Sequence, residues 1–257
     1  MKLIILSLLL IVTSSSAFSQ QKAEKGLEPA ERAYNQGLER QAAGDIDGAI
    51  ALYTRALELD RYYPDAYNNR GNARMGKGDV SGAAADFTEA IRYRPGAYEG
   101  YFNRGLAFYL QEKYIAAVED FSKSIEIRPT DPNAYYNRGN ALKELKKTKE
   151  AISDYAKAIE IFPLAGAHLN RGVAYSDQGE AELALADYNR AIELNPQLAQ
   201  AYFNRGTMLL LVRGREAEAK RDLDAAVQLD GGLRSEVDAF VKKVQESRSQ
   251  NNKQSGQ

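Results

Sequence analysis

Few side chains in this sequence could do acid–base or nucleophilic chemistry. The 257 residues include one histidine and no cysteine, which excludes disulfides, thiolate metal sites and cysteine nucleophiles. Carboxylates could still act as general acids or bases. The candidates form no evident pair along the chain: Glu31, Asp65, Glu99, Glu144 and Asp177. We therefore predict that the protein is not an enzyme and holds no cofactor or metal ion, with a carboxylate-based hydrolase as the enzymatic alternative.

The most regular polar feature is a row of six asparagines. They are Asn35, Asn69, Asn103, Asn137, Asn170 and Asn204. A carboxamide carries both a hydrogen-bond donor and an acceptor, so it could pair with the N–H and C=O groups of an extended peptide of any sequence. Asparagine is a mediocre helix former, so helix propensity does not explain the row. Two interpretations stay open at this point: the row binds a peptide, or asparagine is simply habitual in this kind of repeat.

These asparagines lie in a unit of two predicted helices, seen most clearly in residues 134–163. The first half of this segment carries Tyr135, Gly139 and Leu142, an i, i+4, i+7 stripe. The second half carries Ala151 and Tyr155, with Ala158 and Ile159 continuing the same helical period. The segment therefore predicts two amphipathic helices joined by a short polar turn, with Pro163 after the second helix.

The same unit recurs along most of the chain. The glycine of its first helix stands at Gly37, Gly71, Gly105, Gly139, Gly172 and Gly206, at intervals of 34, 34, 34, 33 and 34 residues. The small residue of its second helix recurs in step, at Ala49, Ala83, Ala117, Ala151, Ala184 and Ala219. An aromatic residue follows four positions later in the first five units, and Leu223 follows in the sixth. Small residues let the two helices approach closely, and the aromatic ring fills the space beside them.

This pattern of an aromatic, glycine, alanine, a second aromatic and proline at a period of 34 resembles the tetratricopeptide repeat. The resemblance implies an all-α, right-handed superhelical solenoid of antiparallel helix pairs with a C-terminal capping helix. The predicted repeats are residues 30–63, 64–97, 98–131, 132–164, 165–198 and 199–233. Contacts in such a solenoid are expected only between neighbouring repeats.

In a stacked solenoid the asparagine position faces away from the second helix and onto the inner, concave wall. The row resembles the asparagine ladder in the tetratricopeptide domains of O-linked N-acetylglucosamine transferases, which hold an extended polypeptide by its backbone. Aromatic side chains at other inward positions favour a partly apolar partner. The predicted peptide-binding residues are therefore the six asparagines together with Tyr34, Phe102, Tyr109, Tyr136 and Phe203.

A second polar row stands next to the asparagines. Arginine precedes five of the six glycines, at Arg70, Arg104, Arg138, Arg171 and Arg205, and each such repeat has a matching Asp86, Asp120, Asp154, Asp187 or Asp222 on its second helix. The first repeat lacks both residues. This joint presence and absence predicts a structural ion pair within each repeat, with a ligand site as the alternative. His168 takes the place that tyrosine holds in four other repeats, so we interpret it as a core residue and not a metal ligand.

The two ends of the chain differ from the repeats. Residues 1–19 have Lys2, an apolar run and then small polar residues, which is typical of a secretory signal peptide and resembles those of Gram-negative bacteria. We expect residues 20–29 to form a linker. Val237, Phe240, Val241 and Val244 predict a capping helix over residues 234–245, and the polar residues 246–257 are expected to be disordered.

The net charge of −1 favours neither nucleic acid nor an anionic membrane as a partner. The sequence thus predicts an exported scaffold or adaptor of the cell envelope, in the periplasm or outside the cell. It would bind a protein or peptide in its concave groove, without stable membrane insertion once the signal is cleaved. The alternative of a different class is a structural component of an envelope assembly that forms homo-oligomers.

Overall fold

The computed structural model describes residues 28–255 of the chain. The predicted signal peptide and residues 20–27 of the predicted linker lie outside the described residues. Within residues 28–255 the structure is helical and contains no β-strand. The predicted all-α class is therefore confirmed.

Thirteen α-helices, joined by short turns, make up this part of the chain. Their bounds are α1 Pro29–Ala42, α2 Ile46–Leu59, α3 Pro64–Gly76, α4 Val80–Tyr93, α5 Tyr98–Leu110, α6 Tyr114–Ile127, α7 Pro132–Glu144, α8 Thr148–Ile161, α9 Ala165–Asp177, α10 Ala181–Leu194, α11 Ala199–Leu211, α12 Glu216–Leu229 and α13 Arg234–Ser255. A 3₁₀ turn, Gly231–Leu233, precedes α13. We call the first helix of each repeat the A helix and the second the B helix.

The helices belong to two compact units. The first unit ends at Lys113 and contains α1 to α5, and the second begins at Tyr114 and contains α6 to α13. Within each unit, an A helix packs against the B helix of its own repeat and against the B helix of the preceding repeat. This arrangement is the stack of helix pairs expected for the repeat, in which each pair buries its apolar face on its neighbours.

A glycine facing an aromatic ring lets the two helices of a repeat approach closely. A Cβ atom added to Gly37 would lie 2.6 Å from Cε1 of Tyr53, and one added to Gly139 would lie 2.7 Å from Cε1 of Tyr155. Both tyrosine side chains are fully buried. Any other residue at these two positions would have to displace the ring, which explains the glycine there.

The turn between the A and B helices needs a left-handed backbone residue. Gly78 provides it in the second repeat, with φ of +83°. The third and fourth repeats place Glu112 and Lys146 there instead, with φ of 59° and 60°. The turn geometry is therefore retained in repeats that lack the glycine, at a modest conformational cost.

The C-terminal helix α13 covers the last repeat. Val237 and Val244 are buried in one cluster with Leu209 and Leu223 of α11 and α12. The expectation of disorder from Glu246 was wrong for residues 246–255, because α13 continues without a break to Ser255.

A side-chain contact helps to hold this longer helix. Arg248 forms an ion pair of 2.7 Å with Glu216 and donates a 2.6 Å hydrogen bond to the carbonyl oxygen of Leu210. This carbonyl lies in the last turn of α11, where backbone acceptors lack partners within their own helix. The polar composition of residues 246–255 gave no sign of this anchoring.

Candidate functional site

The arginine–aspartate row forms buried ion pairs within repeats. In the four pairs whose residues share a unit, Nε and Nη2 of the arginine donate to the two carboxylate oxygens at 2.7–3.0 Å. The pairs are Arg70–Asp86, Arg138–Asp154, Arg171–Asp187 and Arg205–Asp222. Each aspartate side chain is at most 10% exposed. These carboxylates are closed to a ligand, which supports the structural interpretation.

Most of these arginines also reach a third helix. Nη1 of Arg70 donates to Oγ1 of Thr54 at 3.0 Å, and Nη1 of Arg138 donates to Oγ of Ser122 at 3.1 Å. Arg205 donates in the same way to Asn189 Oδ1, at 2.7 Å. In each case the acceptor lies on the B helix of the preceding repeat, so one guanidinium connects two successive repeats.

Sequence reasoning missed this third partner. A signal was present, because a hydroxyl or amide directly follows the B-helix aromatic residue in several repeats: Thr54, Thr88, Ser122 and Asn189. The fourth repeat has Ala156 at this position, which offers no acceptor to Arg171.

His168 is a core residue, as the sequence indicated, and it also bonds to Asp187. The side chain is buried, and Nδ1 donates to Oδ1 of Asp187 at 2.8 Å. Burial raises the pKa of this carboxyl, but the hydrogen bonds from Arg171 and His168 outweigh burial and lower the pKa of Asp187 below its ordinary value. Asp187 therefore accepts hydrogen bonds from both Arg171 and His168 in the interior of the protein.

All six asparagine side chains of the predicted row are half-buried. In the first unit, Nδ2 of Asn69 donates to the Tyr34 hydroxyl at 2.7 Å, and Nδ2 of Asn103 donates to Oδ1 of Asn68 at 3.0 Å. Each bond links one A helix to the A helix of the preceding repeat. Asn35 belongs to the first repeat and forms no such bond among the described residues. Part of the row therefore joins neighbouring repeats.

In the second unit the same link occurs once. Nδ2 of Asn170 donates to Oδ1 of Asn140 at 2.8 Å and to the Tyr136 hydroxyl at 3.3 Å. The other two asparagines bond within their own helices: Asn137 donates to the Asn133 carbonyl at 2.8 Å, and Asn204 accepts from Gln200 at 3.0 Å.

This geometry changes what the row can offer to a peptide. Asn69 and Asn103 each use one Nδ2 hydrogen within the protein, and Nδ2 of Asn170 bonds to two acceptors. Their Oδ1 atoms form no hydrogen bond in the described residues and are held in place by the bond on the other side of the amide. These three can accept from peptide N–H groups, with part or all of their donor capacity used within the protein, whereas the Nδ2 group of Asn204 is wholly unused in the described residues.

The predicted aromatic residues differ in their exposure. Tyr34, Phe102, Tyr109 and Tyr136 are half-buried. Phe203 is only 8% exposed and belongs to the core cluster that contains Val237 and Val244 of α13. Its prediction as a groove residue was wrong, because the capping helix and the last repeat bury the ring.

Tyr136 is positioned by its surroundings and is not a freely rotating side chain. Its ring lies 6.1 Å from that of Tyr155, and its hydroxyl accepts from Asn170. A Cβ atom added to Gly166 would lie 3.0 Å from this hydroxyl. The small residue at position 166 thus makes room for the tyrosine at the junction of the fourth and fifth repeats.

A cavity of about 310 Å³ lies in the second unit beside Asn204. Residues of α9, α10, α11 and α13 line it, among them Val173, Asp177, Leu211 and Phe240. This cavity is continuous with the asparagine row, because Asn204 belongs to both.

Sequence profiles of the tetratricopeptide repeat match most of the predicted repeats. Profiles described as TPR repeat or tetratricopeptide repeat cover residues 37–78, 64–96, 105–146, 132–163 and 165–198, which together are more than half of the chain. The helix pairs and their glycine–aromatic contacts agree with these matches. The chain belongs to the tetratricopeptide-repeat family.

Solved structures of other tetratricopeptide proteins resemble this one. A crystal structure of MamA is 25% identical, with a TM-score of 0.60, and the alignment covers 64% of this chain and 96% of MamA. YrrB, described as a TPR protein with an unusual peptide-binding site, is 22% identical with a TM-score of 0.60, over 74% of this chain and 97% of YrrB. A thermophilic TPR protein of Thermus thermophilus is 19% identical with a TM-score of 0.55, over 70% and 99% of the two chains. No curated protein sequence matches the chain.

Residues 28–255 of this tetratricopeptide protein contain neither a candidate metal site nor a candidate membrane-spanning helix. No group of three or more histidine, aspartate or glutamate residues in this part of the chain could hold a metal ion. None of its described helices is both long enough and apolar enough to cross a membrane.

Proposed function

We propose that this tetratricopeptide protein is a scaffold without catalytic activity that binds an extended polypeptide along its row of asparagines. Membership of the repeat family and the fold shared with YrrB, a protein with a peptide-binding site, support a role in protein interaction. We further propose that the protein is exported through the signal peptide expected in residues 1–19 and acts in the cell envelope.

The observation that carries this proposal is the arrangement of the asparagine amides. Their donor groups bond to neighbouring A helices at 2.7–3.0 Å for Asn69, Asn103 and Asn170, which fixes the direction of each carbonyl oxygen. A fixed acceptor costs little conformational entropy when a ligand binds. Each hydrogen bond to a peptide N–H contributes only about 0.5–1.5 kcal/mol, so several must act together.

The test is a variant in which Asn103, Asn137 and Asn170 are all replaced by alanine. A photoreactive residue at exposed Asn133, one turn before Asn137, would capture the partner in the native envelope. Loss of three hydrogen bonds should lower the crosslinked fraction at least about tenfold, while the helical circular dichroism signal stays the same.

A matched control changes three exposed polar residues of B helices, Ser81, Ser153 and Gln228, to alanine. Capture by this control should equal that of the native chain. Equal capture by the asparagine variant would contradict the role of the row in binding. Mass spectrometry of the protein recovered from the envelope tests export, which predicts a mature chain that begins at Gln20.

The homo-oligomer alternative gains no support from α13. Its exposed side chains are mostly polar, as at Asp238, Lys242, Lys243 and Glu246. Stable interfaces between subunits are usually apolar at their centre. Measuring the mass across dilution from micromolar to nanomolar concentration would separate this alternative from the scaffold.

A further inference from the structure

We propose that the cavity beside Asn204 is a specificity pocket, which takes one large apolar side chain of the bound polypeptide and places a nearby basic residue of that polypeptide against Asp177. This inference rests on the proposed function, because it assigns a sequence preference to part of the same binding surface. The cavity lies wholly within the second unit, between α9, α10, α11 and α13.

The walls of the cavity are suited to an apolar group. Val173, Met208, Leu211 and Phe240 line it, and its volume of about 310 Å³ is enough for a leucine, methionine or phenylalanine side chain. Leu211 is 65% exposed and presents its apolar surface beside the cavity. An inserted side chain would remove this surface from water.

Phe240 makes the pocket possible. Its neighbours on the same stripe of α13, Val237 and Val244, are buried in the core, whereas Phe240 is only half-buried and also faces the cavity. The capping helix thus supplies one wall that the repeats themselves do not have. This wall distinguishes the last repeat from the earlier ones.

Asn204 offers a donor at the edge of the pocket. Its Oδ1 accepts from Gln200 at 3.0 Å, and its Nδ2 forms no hydrogen bond in residues 28–255. Asn69 and Asn103, by contrast, each use one Nδ2 hydrogen within the protein, and Nδ2 of Asn170 bonds to two acceptors. Asn204 is therefore placed to donate to a backbone carbonyl of the peptide next to the inserted side chain.

The charge of the pocket selects the neighbouring residue. Asp177 is the charged residue that lines this cavity; it is exposed and forms no ion pair within the described part of the chain. No lysine or arginine lines the cavity to neutralise it. A lysine or arginine close to the apolar residue of the partner complements this carboxylate, and an acidic residue there would be repelled.

An array of glycine–serine dodecapeptides, probed with the purified full chain, tests this inference. Each peptide carries one central leucine or alanine and, within two positions of it, one lysine or glutamate. The native chain should bind the leucine–lysine peptides about tenfold more than either the alanine–lysine or the leucine–glutamate peptides. Equal binding of these three sets would overturn the pocket.

Three variants assign the preference to particular residues. D177K should reverse the charge preference, so that glutamate is favoured over lysine, and L211Q should reduce the preference for leucine over alanine. L183Q is the matched control, because Leu183 is 48% exposed on α10 and does not line the cavity. A charge preference that D177K leaves unchanged would refute the role of Asp177, even if the other predictions hold.

The outcomes also separate this inference from the proposed function. Peptide binding that weakens with the asparagine variant but shows no preference for leucine or lysine would leave the scaffold standing and remove the pocket. Absence of binding for every peptide on the array would count against both.

Discussion

The arginine–aspartate row and the asparagine row are both polar and both repeated, yet the structure gives them different environments. The aspartates are at most 10% exposed, and each is matched by a guanidinium with two bonds of 2.7–3.0 Å. The asparagines are half-buried, and their bonds to neighbouring repeats use one side of the amide only. The carboxylates of the first row are buried against their arginines and closed to a ligand, whereas the second row has an acceptor left at several positions.

This difference shows why a repeated polar residue does not by itself identify a binding site. A residue can recur because every repeat must be packed on the next one, and the third contact of Arg70 and Arg138 with the preceding repeat is of this kind. A binding role requires exposure and an unused donor or acceptor as well. The asparagine row meets both conditions in part, and it also contributes to packing.

The largest effect is expected from removing one partner of a buried pair. Asp154→Ala leaves the Arg138 guanidinium without its carboxylate in an interior site. The side chain of Arg138 is 23% exposed, and that of Asp154 is 9% exposed. A guanidinium stays protonated in proteins even without a partner, so the variant leaves an unpaired cation at Arg138. We expect a loss of about 3–5 kcal/mol in the free energy of unfolding, measured by urea denaturation.

Glu160→Ala is the matched control for this prediction. It removes one partner of the exposed Lys157–Glu160 pair on α8, the helix that also carries Asp154. Loss of such a surface pair costs about 0–1 kcal/mol. Similar losses in the two variants would mean that the buried Arg138–Asp154 pair stabilises the fold no more than an exposed ion pair does.

An intermediate effect is expected from pH, through Asp187. The folded state lowers the pKa of this carboxyl, so its contribution to stability is present above its unfolded value of about 3.9 and is lost as the pH falls through the folded value. The stability difference between the native chain and D187N should therefore be largest above about pH 5 and shrink below about pH 4.

Urea denaturation of both proteins at several pH values from neutral downwards checks this expectation. Ser153→Ala, which changes an exposed residue without an ionisable group, should differ from the native chain by the same amount at every pH. A D187N difference that is equally constant would contradict the proposed role of the carboxylate.

The smallest effect separates the two roles of the asparagine row. Asn170→Ala removes bonds to Asn140 and Tyr136 and should cost about 1 kcal/mol in the free energy of unfolding. Asn35→Ala, with no such bond, should change it by less than about 0.5 kcal/mol. Both variants gain the same helix propensity, so their difference reports the contact alone. An equal effect of the two would show that the row does not join the repeats.

Much of the fold could be predicted from local pattern. Gly139, Ala151 and Tyr155 recur at a constant period, and a repeated unit must solve the same packing problem each time. The candidate site could be predicted less well. Phe203 follows the pattern of a groove residue, but the capping helix buries it, and Tyr136 is held by Gly166 and Asn170 of the next repeat.

By itself, the sequence determined the all-α class, the helix pairs and the pairing of arginine with aspartate, because these features depend on residues a fixed number of positions apart. Only the tertiary structure decided which amide donors are engaged, that Arg248 extends and anchors the last helix, and that Phe240 adds a wall to a cavity beside Asn204. These contacts join side chains of different repeats or of the capping helix. Whether they form depends on the orientation of each side chain in the packed stack, which no spacing along the chain records.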